Sequence, residues 1–353
     1  MKKDKRWNLM ANLFDKSLIR NELGLKLGDI FDNMAWTAHS EQVSLYLNKE
    51  YNGVYLLTES VKITKDRINI LPELSADDLN GGYIVEVYGG KTNSGDDPAL
   101  IFQTPQVKTR GAFTNGFQIS EPDSDVTTAM INKVKTDVTA AENALYASAF
   151  PNNNYQDLID VDSFIDWYLV MELAKNPDAN FFASCYMYYD PADKKLHMGP
   201  LWDFDIGFGN DSMNASATNK FSDPEGFHIN ASSTYPYGTA TPTPWITRLF
   251  QDPAFKAKVR ARWDAKKAQL DTLSSVIDDM AAHLASAQGL NFAKWNTTLS
   301  HAFWNQASSG SIWGNWGGGG TANPLVPGTY AGEITNLKNF ITQRIAWMHT
   351  NLQ

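Results

Sequence analysis

The stretch NPDANFFASCYMYYDPADKKLHMGPLWDFDIGFGN, Asn176 to Asn210, decides how this chain is read. It divides into a loop carrying Asp178, two β-rich runs, and a second loop carrying Asp203 and Asp205. Asp190-Pro191-Ala192-Asp193 has the residues of a type I turn, Asp first and Pro second, so the two runs predict a hairpin. With Asp190 facing Asp193, the register carried outwards sets Asn180 opposite Asp203 and Asp178 opposite Asp205. Opposed residues on neighbouring strands lie about 5 Å apart. A slip of two residues does not change the result: carboxylates distant in the chain converge at the base of one hairpin. Neighbouring carboxylates resist joint ionisation. Trp202, Phe204 and Phe208 make their surroundings poor in water. Unless all three are merely solvated loop residues, such a cluster calls for a cation such as Mg²⁺ or Ca²⁺, for proton chemistry, or for both.

The rest of the composition narrows the possibilities. At 353 residues, 43% hydrophobic and 20% charged, the chain has the makeup of an ordinary globular protein, with one large domain or two lobes. A net charge of −9 argues against a nucleic-acid partner, because a phosphate backbone needs a basic surface. The single cysteine, Cys185, falls in the first hairpin strand and is expected to act as a small buried residue. No run of about 18 apolar residues marks a membrane-spanning helix. The charged start, Met1-Lys2-Lys3-Asp4-Lys5-Arg6, is not followed by the apolar segment of a signal peptide.

Along the chain, Leu9, Leu13, Leu18, Leu23 and Leu27 suggest helical spacing, with Asp15 as N-cap of a helix through Leu27. Residues 43–48 and 53–58 read as a hairpin joined by 49–52, and residues 81–87, 102–104 and 117–119 as further strands. Helices are expected over 126–150, over 162–173 with Asp162 as N-cap, over 245–250, 253–270 and 273–287, and over 332–352. Residues 212–243 and the glycine-rich 304–327 read as irregular. The fold class is therefore α+β. An N-terminal region (1–122) rich in antiparallel strands precedes a mostly helical C-terminal region (123–353), and the acidic hairpin (176–210) sits where the two meet. A cleft between lobes is where small ligands usually bind.

No GxxxxGK[ST], GxGxxG or GxSxG occurs, and the six histidines show no metal-ligand spacing in sequence. All-oxygen metal binding plus a base remains, and that is the minimum for phosphoryl transfer. The order of loop Asp, hairpin, then metal-binding Asp also matches the plan of protein kinases. Paired Asp residues equally serve nucleotide-sugar glycosyltransferases and simple Ca²⁺ loops, although no βαβ series precedes the pair here.

The segments WNLMANLFDKSLIRNELG (7–24), YNGVYLLTESVKITKDRINI (51–70), GGYIVEV (81–87), NPDANFFASCYMYYD (176–190) and GPLWDFDIGFGN (199–210) occur in an order that resembles the CotH kinase family, the spore coat protein H-like kinases. The form of the last two segments is similar to Bacteroidetes-type members, often secreted or cell-surface proteins. The resemblance implies an atypical protein-kinase-like bilobal fold, and transfer of phosphate from Mg-ATP to Ser/Thr hydroxyls of a protein substrate. It implies Asp178 as the catalytic Asp of an N-x-D motif, and Asp203 and Asp205 as metal ligands. Trp202 would stack on adenine. Glu59, in the family's Y-L-L-x-E strand, and Arg20, in its R-N pair, would serve the nucleotide. Where family members carry a second Asn ligand, this chain has Asn180 early and Ser184 nearer the expected place. The chain is also expected to lack the first strands of the family's N-terminal lobe. A catalytically impaired pseudokinase, a monomeric surface-interaction module holding a structural divalent ion, is the competing expectation. Exposed tryptophans such as Trp313 and Trp316 would then be free to stack on sugars.

Overall fold

The computed structural model describes residues 1–89, 100–108, 115–210, 221–233, 241–295 and 328–352. The glycine-rich stretch 304–327 with Trp313 and Trp316, and much of 212–243, lie outside the described residues. The fold is α+β, with antiparallel sheets and helices mixed along the chain.

Three strands, β1 (Trp7–Ala11), β2 (Ser40–Leu47) and β3 (Glu50–Glu59), form a sheet in the order β1-β3-β2. β2 and β3 meet through Asn48 and Lys49, both at positive φ (50° and 70°), which gives the tight turn whose twist matches the strands. β1 corrects the sequence expectation. Its leucine spacing is compatible with a helix, yet pairing with β3 from Trp7–Glu59 to Ala11–Tyr55 captures it as a strand. The helix α1 (Arg20–Ile30) starts later, and Asp15 does not cap it directly. The Asp15 carboxylate instead accepts from the Ser17 N–H (2.8 Å) and the Arg20 N–H (2.7 Å), closing the turn that leads into the helix.

The second sheet has the order β5-β6-β4-β7-β8, with β4 (Tyr83–Gly89), β5 (Ile101–Phe102), β6 (Asn115–Glu121), β7 (Cys185–Asp190) and β8 (Lys195–Met198). The expected hairpin β7–β8 is present, but its register is displaced by two residues: Asp190 pairs with Lys195, not Asp193. Lys194 adopts a left-handed conformation (φ 62°) and donates its N–H to the Asp190 carbonyl at 2.8 Å, so the loop runs over 191–194, two residues longer than the expected type I turn. Cys185 is buried in β7 opposite Val87, as expected of a small apolar residue.

α2 (Thr128–Tyr146) is capped by Thr127. α3 (Val161–Ala174) is capped by Asp160, whose carboxylate accepts from the Ser163 N–H at 2.8 Å; Asp162, the expected cap, lies one turn position inside. Every residue of α3 except Asp162 is buried, so this is the central helix of the molecule. Against it pack α5 (Pro253–Leu270) and α8 (Tyr330–Asn351), while α4 (Ile246–Leu249) lies on α2 and α6 (Leu273–His283) on α8. A further helix, α7 (Gln288–Trp295), lies against β3; the sequence reading ended at 287 and missed it. No helix among the described residues is long and apolar enough to cross a membrane.

Buried charge on α3 is fully matched. Asp166 accepts both Nε and Nη2 of Arg262, at 2.8 and 2.7 Å. Glu172 accepts Arg344 Nη2 (2.7 Å) and the backbone N–H groups of His228, Ile229 and Asn230 (2.7, 2.8 and 3.0 Å). Arg344 spends its remaining donors on carbonyls of Glu172, Pro224 and Gly226. Arg344→Leu therefore leaves a buried carboxylate without its cation and is expected to cost about 3–5 kcal/mol in a denaturant titration. The buried His228 ring is kept neutral, its pKa lowered to about 3 chiefly by burial. Below the ordinary value of 6.5 the unfolded chain takes up a proton that the folded chain refuses, so stability falls as pH drops from 6.5 towards 3. Between pH 6.5 and 5 this one group is expected to remove about 2 kcal/mol. A His228→Asn variant should show a correspondingly flatter urea midpoint over that range.

Candidate active site

The three sequence-identified aspartates do meet, but not by the hairpin register. β7 begins only at Cys185, and Asp178 and Asn180 lie before it in and after a single 3₁₀ turn, Pro177–Ala179. What brings the two loops together is Asn176. Its Oδ1 accepts the Asp178 N–H (3.1 Å), and its Nδ2 donates to the Asp203 carbonyl (2.7 Å). Ser184 adds a second tie, Oγ donating to Asp203 Oδ2 at 2.9 Å. The following loop is held from two sides. Asn21 on α1 accepts the Phe204 N–H at 2.7 Å, and Asn210 Nδ2 donates to the carbonyls of Asp205 (2.5 Å) and Phe14 (3.0 Å).

The result is a concentrated negative site. The Asp205 carboxyl is pushed well above the ordinary carboxylate range, first by burial, then by the charges of Asp203, Asp178 and Asp15, and by a hydrogen bond shared with Asp203. Asp15 is thus a fourth carboxylate of the cluster. No sequence motif announced it, because it reaches the site through the turn before α1. The cation facing it is Arg20, which is buried. Its Nη1 donates to Asp15 Oδ1 (2.5 Å) and Ser17 Oγ (3.2 Å), and its Nη2 lies 3.8 Å from Glu333 on α8. Arg20 and Lys16 both answer Asp15 and Glu333, which leaves Asp178, Asp203 and Asp205 as oxygen donors of the kind a hard divalent cation takes.

Backbone conformation marks the same place. Phe181, Ser184, Asp203 and Phe208 all sit at positive φ (61°, 55°, 64° and 50°), and Lys175 just before them at 47°. Each such residue costs on the order of 1–3 kcal/mol, and they gather where a site over-determines the chain. Tight packing supplies the constraint. A Cβ on Gly24 of α1 would fall 2.1 Å from Phe204 Cγ, so this glycine lets the helix lie directly on the Asp203–Asp205 loop.

The remaining expected site residues are placed as follows. Trp202 is half-buried, packed against a small apolar cluster of Ile63, Ile68, Ile70, Ile84, Tyr186 and Tyr188. Glu59 is fully buried rather than a surface charge. It accepts from the Lys2 N–H (3.0 Å) and from the N–H of His39 (3.1 Å), and its carboxylate meets His39 Nδ1 at 3.0 Å. Asn180 is buried immediately after the Asp178 turn. A cleft of about 420 Å³ opens beside Ser184, lined by Glu86, Tyr88, Gln118, Ser120 and Asp123 from the second sheet and its margin. At the opposite, turn end of the hairpin, Asp190, Asp193 and His197 bring their ligand atoms within 4.8 Å, a grouping invisible to residue spacing. There His197 Nε2 and Asp193 Oδ2 already satisfy each other at 3.0 Å.

Overpacking at Gly24 tests the brace between α1 and the acidic loop. Gly24→Val is expected to destabilise the fold by about 1–3 kcal/mol in chemical denaturation, with the near-ultraviolet signal of Trp202 altered.

None of the curated proteins compared with this chain matches it. The family model described as CotH kinase protein matches residues 1–348. With almost its whole length matched, and with the Asn176–Asp178 turn and the Asp203–Asp205 loop in place, this chain belongs to the CotH kinase family.

Proposed function

We propose that the chain is a protein Ser/Thr kinase that transfers the γ-phosphate of Mg-ATP to a protein hydroxyl. The observation that carries this reading is the grouping of Asp178, Asp203 and Asp205, with Asp203 held by Ser184, which itself lines an open cleft. In this reading Asp178 orients and accepts the proton of the acceptor hydroxyl. Asp203 and Asp205 hold Mg²⁺, with Ser184 and Asn180 as supporting ligands, and Ca²⁺ fits the same oxygen donors. A divalent ion at this place supplies neutralisation of the phosphate charge. Asn176 keeps Asp178 and Asp203 in fixed relation, Asn21 sets the backbone of the acidic loop, and Ser184 orients the Asp203 carboxylate. Trp202 offers its ring to the adenine. Arg20 and Glu59 serve the nucleotide side, Arg20 from behind Asp15. Residues 1–122 and 123–353 act as the two lobes of an atypical kinase, working as a monomer outside the cytoplasm, secreted or on a cell surface, in the manner of Bacteroidetes-type members.

A second reading rests on a specific observation. Both nucleotide-side candidates are already committed within the protein, Arg20 to Asp15 and Ser17, and Glu59 to His39 and the Lys2 N–H. Side chains so engaged favour a pseudokinase in which the acidic cluster holds a structural ion and the surface serves a partner.

Thermal unfolding separates the two. For the kinase, Mg-ATP at about a hundred times its dissociation constant stabilises by about 2.7 kcal/mol, a rise of several degrees that Asp203→Asn abolishes. A rise with Mg²⁺ or Ca²⁺ alone, and none added by ATP, identifies the structural-ion module.

A further inference from the structure

The turn end of the β7–β8 hairpin shares no residue with the acidic site, yet it gathers a second set of metal-ligand side chains. Asp190 closes β7, Asp193 stands in the loop and His197 lies on β8, and one ligand atom from each falls within 4.8 Å of the others. The imidazole is the fixed member. It stacks on Tyr188, its cross-strand partner, with ring centroids 4.8 Å apart and planes 6° from parallel, and its side chain is only 13% exposed. Nε2 stands 3.0 Å from Asp193 Oδ2, and Nδ1 stands 3.7 Å from Asp160 Oδ1 at the start of α3. The two aspartates are preset as well. Asp190 Oδ1 accepts the Ala192 N–H at 2.8 Å and Asp193 Oδ1 the Lys195 N–H at 3.0 Å, so each carboxylate is anchored through one oxygen and can offer the other.

Charge and spacing both point to a cation. The Tyr188 hydroxyl is pushed above its ordinary pKa chiefly by burial, and the charges of Asp160, Asp190 and Asp193 all add to that shift, so three carboxylates converge on the ring that carries His197. Lys194 and Lys195 adjoin them in the chain, yet among the described residues no lysine or arginine is ion-paired with any of the three; the ion pairs of Asp160 and Asp193 are with His197. Two ligand atoms about 2.1 Å from a metal and at a right angle stand about 3.0 Å apart, the separation of His197 Nε2 and Asp193 Oδ2. Ligands on opposite sides stand about 4.2 Å apart, so Asp190 completes the set with a shift of no more than about 0.6 Å. Asp160 faces the second ring nitrogen, where a metal-bound imidazole commonly finds the carboxylate that orients it. One imidazole nitrogen with two carboxylates favours Zn²⁺ and its transition-metal neighbours over Mg²⁺ and Ca²⁺, which take oxygen-only sets.

We propose that Asp190, Asp193 and His197 bind one divalent transition-metal ion of the Zn²⁺ class, with Asp160 as the outer partner of the imidazole. The ion replaces the hydrogen between Nε2 and Asp193, and the neutral ring keeps its proton on Nδ1, facing Asp160. Because Asp160 also caps α3, the ion clips the hairpin turn to the start of the central helix. The site is independent of the phosphoryl-transfer reading, and its failure leaves that reading untouched.

Isothermal titration of the full chain with Zn²⁺ tests it, in millimolar Mg²⁺ to fill oxygen-only sites and at about pH 7.5, above the ordinary imidazole pKa of about 6.5. Saturable binding of one Zn²⁺ is expected, unchanged in Asp203→Asn and weakened about tenfold or more in His197→Gln, Asp190→Asn and Asp193→Asn. The two asparagine variants keep an oxygen for the backbone N–H groups of the turn and guard against a folding artefact. In protein labelled with ¹⁵N-histidine, Zn²⁺ should move the His197 Nε2 resonance, and it should raise Tm in the wild type but not in His197→Gln. Absence of Zn²⁺ binding in the presence of Mg²⁺ overturns the proposal. So does binding that His197→Gln leaves at full strength, which places the ion on another histidine, or binding that Asp203→Asn abolishes, which places it in the acidic site.

Discussion

The ion pair between Glu172 and Arg344, both fully buried, is the constraint on which the rest of the molecule hangs. It occurs at the C-terminal end of α3, the one helix enclosed on nearly every side. Buried ion pairs often contribute little net stability, because desolvation offsets attraction. This one does something more specific. Its carboxylate collects three consecutive backbone N–H groups at 228–230, and its guanidinium collects carbonyls at 224 and 226. An otherwise irregular segment is thereby given a single position beneath the Pro177–Ala179 turn, where the His228 ring meets the Pro177 carbonyl at 3.2 Å.

From that fixed helix end the acidic site follows in a few steps. Lys175 stops α3 in a left-handed conformation, and its buried ammonium, with a pKa pulled down to about 8 mainly by burial, is held by the carbonyls of Asp223 and Glu225. Asn176 comes next and joins the two acidic loops. The Phe208 N–H then returns to the Ala174 carbonyl at 2.7 Å, tying the far side of the Asp203–Asp205 loop to the same helix terminus. The carboxylates repel one another, and the hydrogen bond shared by Asp203 and Asp205 offsets that only within the one loop. Their proximity is imposed by neutral amide side chains and backbone bonds around them.

Much of this was legible in the chain, and the failures have identifiable causes. The hairpin and the buried cysteine followed from turn residues and strand patterning; the grouping of Asp178, Asp203 and Asp205 was expected from the same register, but Asn176 and Ser184 produce it. The register missed by two because a left-handed Lys194 extends the turn, and lysine carries no signal for that conformation. β1 was taken for helix because leucines at 9 and 13 fit both periods, and only the partner strand decides. Asp15 was read as a helix cap, since its role in the site depends on where the turn before α1 lies relative to a loop some 190 residues later in sequence, as the Asn210–Phe14 hydrogen bond records. Asn176 was legible as part of a motif but not as the joint between loops, which only the three-dimensional path of the chain reveals.

The five-stranded sheet carries a mechanical consequence. β4 belongs to the N-terminal half and β7 to the acidic hairpin, yet they share a continuous hydrogen-bonded ladder from Tyr83–Tyr189 to Val87–Cys185. An enzyme that admits its substrate by swinging two halves apart at that seam would have to tear the ladder open on every turnover. Here the seam behaves as a weld. The two sides of the acidic site are joined at that seam by backbone hydrogen bonds, so they cannot hinge there without breaking the ladder.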